Sequence, residues 1–174
     1  MDLAQHIRNV PDFPVEGIQF KDITTLLQAP EPFAASVQAM LDYYQAQGAE
    51  IDIVAGIESR GFIWGAILAY QMGVGFVPVR KPDKLPAETV RVEYALEYGT
   101  NALEMHRDAI QPGQKVLIVD DLLATGGTAQ ATCQLVEQLG GEVAGLAFLI
   151  ELTFLPGREK LAGYDVLALV QMDE

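Results

Sequence analysis

Long apolar runs, cysteine and positive charge are all scarce in this 174-residue chain. No hydrophobic stretch approaches the roughly 20 residues a membrane-spanning helix needs, so no membrane partner is expected. A single cysteine, Cys133, excludes an internal disulfide framework. The opening MDLAQHIRNV has no basic start followed by an apolar stretch, so no export signal is expected. Both features suit a reducing, cytoplasmic location. Eleven Lys and Arg face 24 Asp and Glu, for a net charge of −13. A chain this acidic is unsuited to nucleic acid, whose backbone is bound through basic surfaces.

The few basic residues are unevenly placed. None lies between Asp22 and Ser59, and then Arg60, Arg80, Lys81 and Lys84 follow. A local basic concentration in an acidic protein suits a small anion.

Apolar residues make up 50% of the chain, enough for a sizeable core, and the length suggests a single domain spanning 1–174. Leu3 and Ile7 could share the face of a short helix over 2–9. PDFPVEG (11–17) is rich in proline and glycine and should be irregular, as should the proline-flanked segment around Phe20. Helical spacing marks 31–47, 62–72 and 128–139, with a short turn near 156–162. Apolar runs at 51–56, 75–79, 115–119, 142–150 and 165–170 read as buried strands. TVRVEYALEYG (89–99) alternates apolar with charged residues, as a half-exposed strand does, and NALEMHRDAI can pair back on it as a hairpin. Strands alternating with helices predict an α/β fold, a central mostly parallel sheet flanked by helices.

The chemistry concentrates in VLIVDDLLATGGT (116–128). A buried strand runs into Asp120 and Asp121, and a glycine-rich loop then opens a helix. Parallel sheets bind ligands at the carboxyl ends of their strands, where this pair sits. No His or Cys at ligand spacing supports a metal cluster. Adjacent strand residues point to opposite faces, which does not suit a glycosidase acid/base pair. The loop lacks the lysine of a Walker motif and the spacing of a dinucleotide fingerprint. It nonetheless offers the free N–H groups of a helix start, glycines that admit a ligand close to the backbone, and two hydroxyls. Ala124, Thr125, Gly126, Gly127 and Thr128 thus form a phosphate cradle. Carboxylates accept hydrogen bonds from a vicinal diol, so Asp120 and Asp121 suggest a ribose 5-phosphate.

This segment resembles the phosphoribosyl-pyrophosphate signature of type I phosphoribosyltransferases. PDFPVEGIQFKDIT (11–24), GIESRGFIWG (56–65), RKPDKLP (80–86) and LEYGTNALEMH (96–106) narrow the resemblance to the adenine-using branch, from about residue 11 to the end. Asp83 stands where the family usually has glycine, and Thr25 where proline is common. The resemblance implies transfer of phosphoribose from phosphoribosyl pyrophosphate to adenine, releasing pyrophosphate, in purine salvage. It further implies a small N-terminal hood over 1–30, a β-hairpin lid over 81–106 and a homodimer. Mg2+ would be held mainly by substrate and water.

Roles follow for particular residues. Ser59 and Arg60 would bind pyrophosphate in a loop with a cis Glu58–Ser59 peptide. A cation at a helix start is electrostatically misplaced unless an anion joins it. Arg80, Lys81 and Lys84 would also reach the pyrophosphate. Phe20 would stack on adenine while the backbone of Gln19 and Lys21 reads its edge, where a 6-amino and a 6-oxo purine reverse donor and acceptor. Glu97 would act as general acid/base and Tyr98 would belong to the lid. Trp64, Cys133 and His6 read as structural, and His106 has no assigned role. The rivals are the same reaction on hypoxanthine or xanthine, and a non-catalytic sensor of the activated sugar.

Overall fold

The structure is a computed structural model that describes residues 1–95 and 99–173. Its centre is a five-stranded, wholly parallel sheet. The strands are β3 (Ile53–Ile57), β4 (Gly75–Val79), β7 (Lys115–Leu123), β8 (Glu142–Leu152) and β9 (Val166–Met172), arranged β4-β3-β7-β8-β9. The remaining strands are β1 (Arg8–Pro11) with β2 (Gln19–Asp22), and β5 (Thr89–Ala95) with β6 (Thr100–His106), each an antiparallel pair.

Both sheet faces are covered, which is why the central strands are continuously apolar rather than alternating. Leu117, Val119, Ala147 and Leu149 pack toward α2 (Pro30–Ala46), which follows the short α1 (Thr24–Gln28), and toward α3 (Gly61–Met72), around Met40, Trp64 and Leu68. Val116, Ile118, Leu146 and Phe148 pack toward α4 (Gly127–Gln138), around Leu135 and Val136. The expected α/β architecture, hairpin included, is therefore present.

The β5–β6 hairpin is rooted in that second core. Val92, Leu103 and Met105 are buried there, whereas Arg91 and Glu93 are exposed. Its root also joins the main sheet, because Arg80 and Glu104 exchange backbone hydrogen bonds of 3.0 and 2.7 Å.

Three local expectations need correction. The helix expected over 2–9 is only a 3-10 turn, Leu3–His6, capped by Asp2. Beyond it Arg8–Pro11 pairs with β2, and Arg8 Nε donates to Asp22 Oδ2 at 3.0 Å. Cross-strand bonding outweighs a helix too short to propagate. The segment around Phe20 is a strand rather than irregular chain. Finally, β7 does not end at Val119 but runs to Leu123, because β8 beside it continues and pairs Asp120 with Phe148 and Leu122 with Ile150.

Candidate active site

That extra length of β7 shapes the site. On its other side β3 stops at Ile57, and its pairing ends with Gly56 opposite Val119. From Asp120 onward, β7 has no β3 partner. A cleft of about 1100 Å³ opens there. Its floor is Asp120 to Gly126 with Thr128, and Glu58, Ser59 and Arg60 form one side. The hairpin contributes Tyr94, Ala95, Asn101 and Leu103. The starts of α3 and α4 both adjoin this cleft, and neither carries a side-chain cap. Their dipoles favour negative charge, although at the start of α3 the N–H groups of Phe62 and Ile63 already donate to the Ser59 and Arg60 carbonyls at 3.2 Å.

The cradle expected at 124–128 lies in the cleft wall, with Ala124, Thr125, Gly126 and Thr128 lining it. The glycines also serve internal packing. Gly126 has φ +81°, and a Cβ on it would lie 2.8 Å from the carbonyl oxygen of Gly157. A Cβ on Gly127 would meet Tyr94 Cδ2 at 3.1 Å. Both glycines thus admit neighbouring chain, and Gly126 also lines the cleft. They let α5 (Gly157–Lys160) and β5 close on the loop.

Asp121 is buried and forms an ion pair with Arg60, Nε to Oδ2, at 2.8 Å. The cation that looked misplaced at the start of α3 has its anion inside the protein. Asp120 Oδ1 accepts the Asp121 backbone N–H at 2.9 Å. Burial, followed by the like charge of Asp121, holds the Asp120 carboxyl above the usual carboxylate range. Arg60 also reaches the N-terminal arm, where its guanidinium carbon lies 5.5 Å from the ring centroid of Phe20, in cation–π range. Phe20 is half-buried and meets Phe13 edge-to-face at 5.1 Å. Gln19 and Lys21 turn their side chains to Asn9, at 2.7 and 3.2 Å. Phe20, Gln19 and Lys21 do not line the cleft, and Arg60 is the link between them and Asp121.

The Glu58–Ser59 peptide is cis. Glu58 Oε1 accepts the Lys81 N–H at 2.7 Å and lies 3.3 Å from Arg80 Nε. Lys81 lines the cleft, but Arg80 and Lys84 do not. The Arg80 guanidinium is held by Glu58, and Lys84 is exposed on the loop beyond. Asp83, in the same loop, adopts φ +65°, a conformation glycine takes without strain. Thr25 uses a hydroxyl that proline lacks, donating to the His6 carbonyl at 2.7 Å. Glu97 and Tyr98 lie outside the described residues.

Trp64 and Cys133 are core residues, and Trp64 Nε1 donates to Ser36 Oγ at 2.9 Å. The His6 carbonyl anchors the arm. His106 Nε2 accepts the Ala87 N–H at 3.3 Å, tying β6 to the loop before β5. Sequence reasoning missed Glu58, Tyr94, Asn101 and Lys160 as cleft residues. Glu58 had a signal, since an acid between a buried strand and a helix start must find a donor. Lys160, far along the chain, had none.

A strand-loop-helix cradle beside paired carboxylates, on a parallel sheet with a hairpin over it, defines a sugar-phosphate-binding α/β protein. Residues 22–165 match the Phosphoribosyl transferase domain family. Within it the chain belongs to the adenine phosphoribosyltransferases. It is 61% identical over 170 residues to the adenine phosphoribosyltransferase of Chloroflexus aurantiacus, covering 98% of this chain and 97% of that protein. The adenine phosphoribosyltransferase of Thermoanaerobacter pseudethanolicus superposes with a TM-score of 0.94 at 54% identity, covering 98% of each chain. The Saccharomyces cerevisiae enzyme, solved with an imino-altritol bisphosphate and adenine, superposes with a TM-score of 0.91 at 42% identity, covering 97% of this chain and 96% of that one.

Proposed function

We propose that this chain joins adenine to phosphoribosyl pyrophosphate, releasing pyrophosphate and forming AMP. The observation that carries the reading is the cleft itself: an uncapped helix start and two adjacent carboxylates, on a chain whose full-length relatives are adenine phosphoribosyltransferases. In the reaction the bond from C1′ to pyrophosphate oxygen breaks and the electron pair leaves with pyrophosphate. Adenine N9 bonds to C1′ and loses its proton.

The chain's own groups divide the work. The N–H groups of 124–128 and the hydroxyls of Thr125 and Thr128 hold the 5-phosphate. Asp120 and Asp121 accept the 2′ and 3′ hydroxyls. Asp121 must then share its carboxylate with Arg60 or release it, which frees the guanidinium for pyrophosphate beside Ser59 and Lys81. Arg80 and Lys84 act more remotely, Arg80 by fixing Glu58 and Lys81. Adenine lies against Phe20, with the backbone of Gln19 and Lys21 at its edge. Glu97 takes the N9 proton, and Tyr98 joins it in covering the sugar. Their neighbours Tyr94, Ala95 and Asn101 already line the cleft, which supports a cover at this point. Such a cover keeps water from a cationic, hydrolysable sugar. Because the hairpin root is buried, only its tip serves as the lid, and residues 1–30 serve as the base-recognition arm.

Mg2+ accompanies the activated sugar. Hard divalent cations keep water and combine one or two carboxylates with substrate phosphates. Asp120 and Asp121 would provide such carboxylates, and a bound ion would supply positive charge for the pyrophosphate leaving group. We place the protein in the cytoplasm as a homodimer. No helix among the described residues is long and apolar enough to cross a membrane.

The test is a base panel. Labelled adenine, hypoxanthine and guanine are each incubated with phosphoribosyl pyrophosphate and Mg2+. AMP and pyrophosphate should form from adenine alone. Product from hypoxanthine instead would reassign the base, and product from none would leave a sensor.

A further inference from the structure

We infer that Lys160, on α5, supplies the cation for the sugar 5-phosphate and makes this protein selective for phosphorylated over unphosphorylated nucleosides. The inference rests on the reading above that 124–128 holds a phosphate. That cradle contains no basic residue of its own. Its donors are neutral amides and hydroxyls beside two aspartates, a poor environment for a dianion without a positive charge nearby.

Among the described residues three basic side chains line the cleft: Arg60, Lys81 and Lys160. Sheet order separates them. Arg60 follows β3 and Lys81 follows β4, on one side of β7, while Lys160 follows β8 on the other. The cradle follows β7 and so lies between them. Arg60, paired with Asp121, stands on the pyrophosphate side of β7, and Arg158, the other basic residue near the start of α5, is held by both Glu151 oxygens at 2.7 and 2.6 Å. No described residue forms an ion pair with Lys160.

The backbone around Lys160 is fixed against the cradle. A Cβ on Gly157 would clash with the carbonyl oxygen of Ala124, so α5 packs directly on the loop. At the far end of α5 the Lys160 carbonyl lies 3.5 Å from Gln130 Nε2, on the first turn of α4. Both ends of the short helix therefore bear on the same phosphate-binding turn. A flexible lysine stem projecting from that position reaches an anion by a charge-assisted hydrogen bond. The two cations beyond β3 and β4 are left for the pyrophosphate, and one group serves each end of the doubly phosphorylated sugar.

The experiment measures AMP and adenosine affinity by calorimetry in the wild-type protein, Lys160→Gln and Lys160→Arg. Lys160 is solvent-exposed, so matched thermal unfolding should show all three folded. Lys160→Gln should weaken AMP about tenfold at low salt, with the loss shrinking as salt rises. Adenosine affinity should be unchanged, and Lys160→Arg should restore most AMP affinity. If wild type prefers AMP over adenosine and Lys160→Gln keeps that preference in full, the assignment of Lys160 falls while the cradle stands. If wild type does not distinguish AMP from adenosine, the phosphate cradle falls and Lys160 with it. An equal loss of adenosine would make Lys160 a support of the cleft rather than a phosphate ligand.

Discussion

Arg60 Nε lies 2.8 Å from Asp121 Oδ2, and the same guanidinium stands over the ring of Phe20. One side chain thereby touches the strand proposed for the sugar and the arm proposed for the base. Arg60 is 42% exposed and Asp121 only 6%, so the carboxylate depends on the pair more than the cation does. Asp121→Asn should leave the fold intact and raise KM for phosphoribosyl pyrophosphate about tenfold, a loss on the scale of a charged hydrogen bond. Steady-state kinetics beside a thermal melt check it. Unchanged kinetics would remove the diol assignment.

The two glycines of the cradle should behave differently. Gly126→Ala meets both a left-handed backbone and the Gly157 carbonyl, so it should cost about 2 kcal/mol or more and weaken AMP. Gly127→Ala meets only the edge of Tyr94 and should cost about 1 kcal/mol or less. Urea unfolding of the pair decides it, and equal losses would show that the contact with α5 is unimportant.

Glu97→Gln should lower kcat far more than it changes KM, since a proton acceptor acts in the transition state. The deficit should be about a hundredfold. A fall confined to KM would make Glu97 a binding residue.

Acid should loosen the β8–β9 side of the sheet. The Arg158 hydrogen bonds hold the buried Glu151 carboxyl below its usual range, with help from Gln171 at 3.1 Å. A carboxyl depressed in the folded state stabilises it fully above the unfolded value and loses that contribution as pH falls through the folded one. Stability should therefore decline below about pH 4.5, the ordinary glutamate range. In Glu151→Gln that part of the decline should be absent. Arg158→Met, which strands a buried carboxylate, should cost about 2 kcal/mol at neutral pH. Thermal unfolding across pH 3 to 7 checks both variants.

Where a feature depended on consecutive residues, it was legible. VLIVDDLLATGGT displays a two-face-buried strand, an acidic pair and a helix start in one line, and each is a local consequence of side-chain pattern and backbone freedom. The hairpin at 89–106 was legible for the same reason, because alternation encodes one wet face. The arm was less so. Arg8–Pro11 and Gln19–Asp22 are too short to declare themselves, and they become strands only by pairing with each other.

Other features were settled only when distant segments met. Asp120 and Asp121 lie inside β7 because β8 runs on beside them, and the cleft exists because β3 does not. The glycines of the cradle are required by Gly157 and Tyr94, which no local pattern connects to them. Arg60 was readable as a cation at a helix start, but its anion, Asp121, stands 61 residues later on another strand. Composition, periodicity and turn chemistry act along the chain and so determine the elements and the kind of ligand. Charge pairing and close packing act through space, and they alone decided which side chains face the cleft and which, such as Arg80, are held away from it.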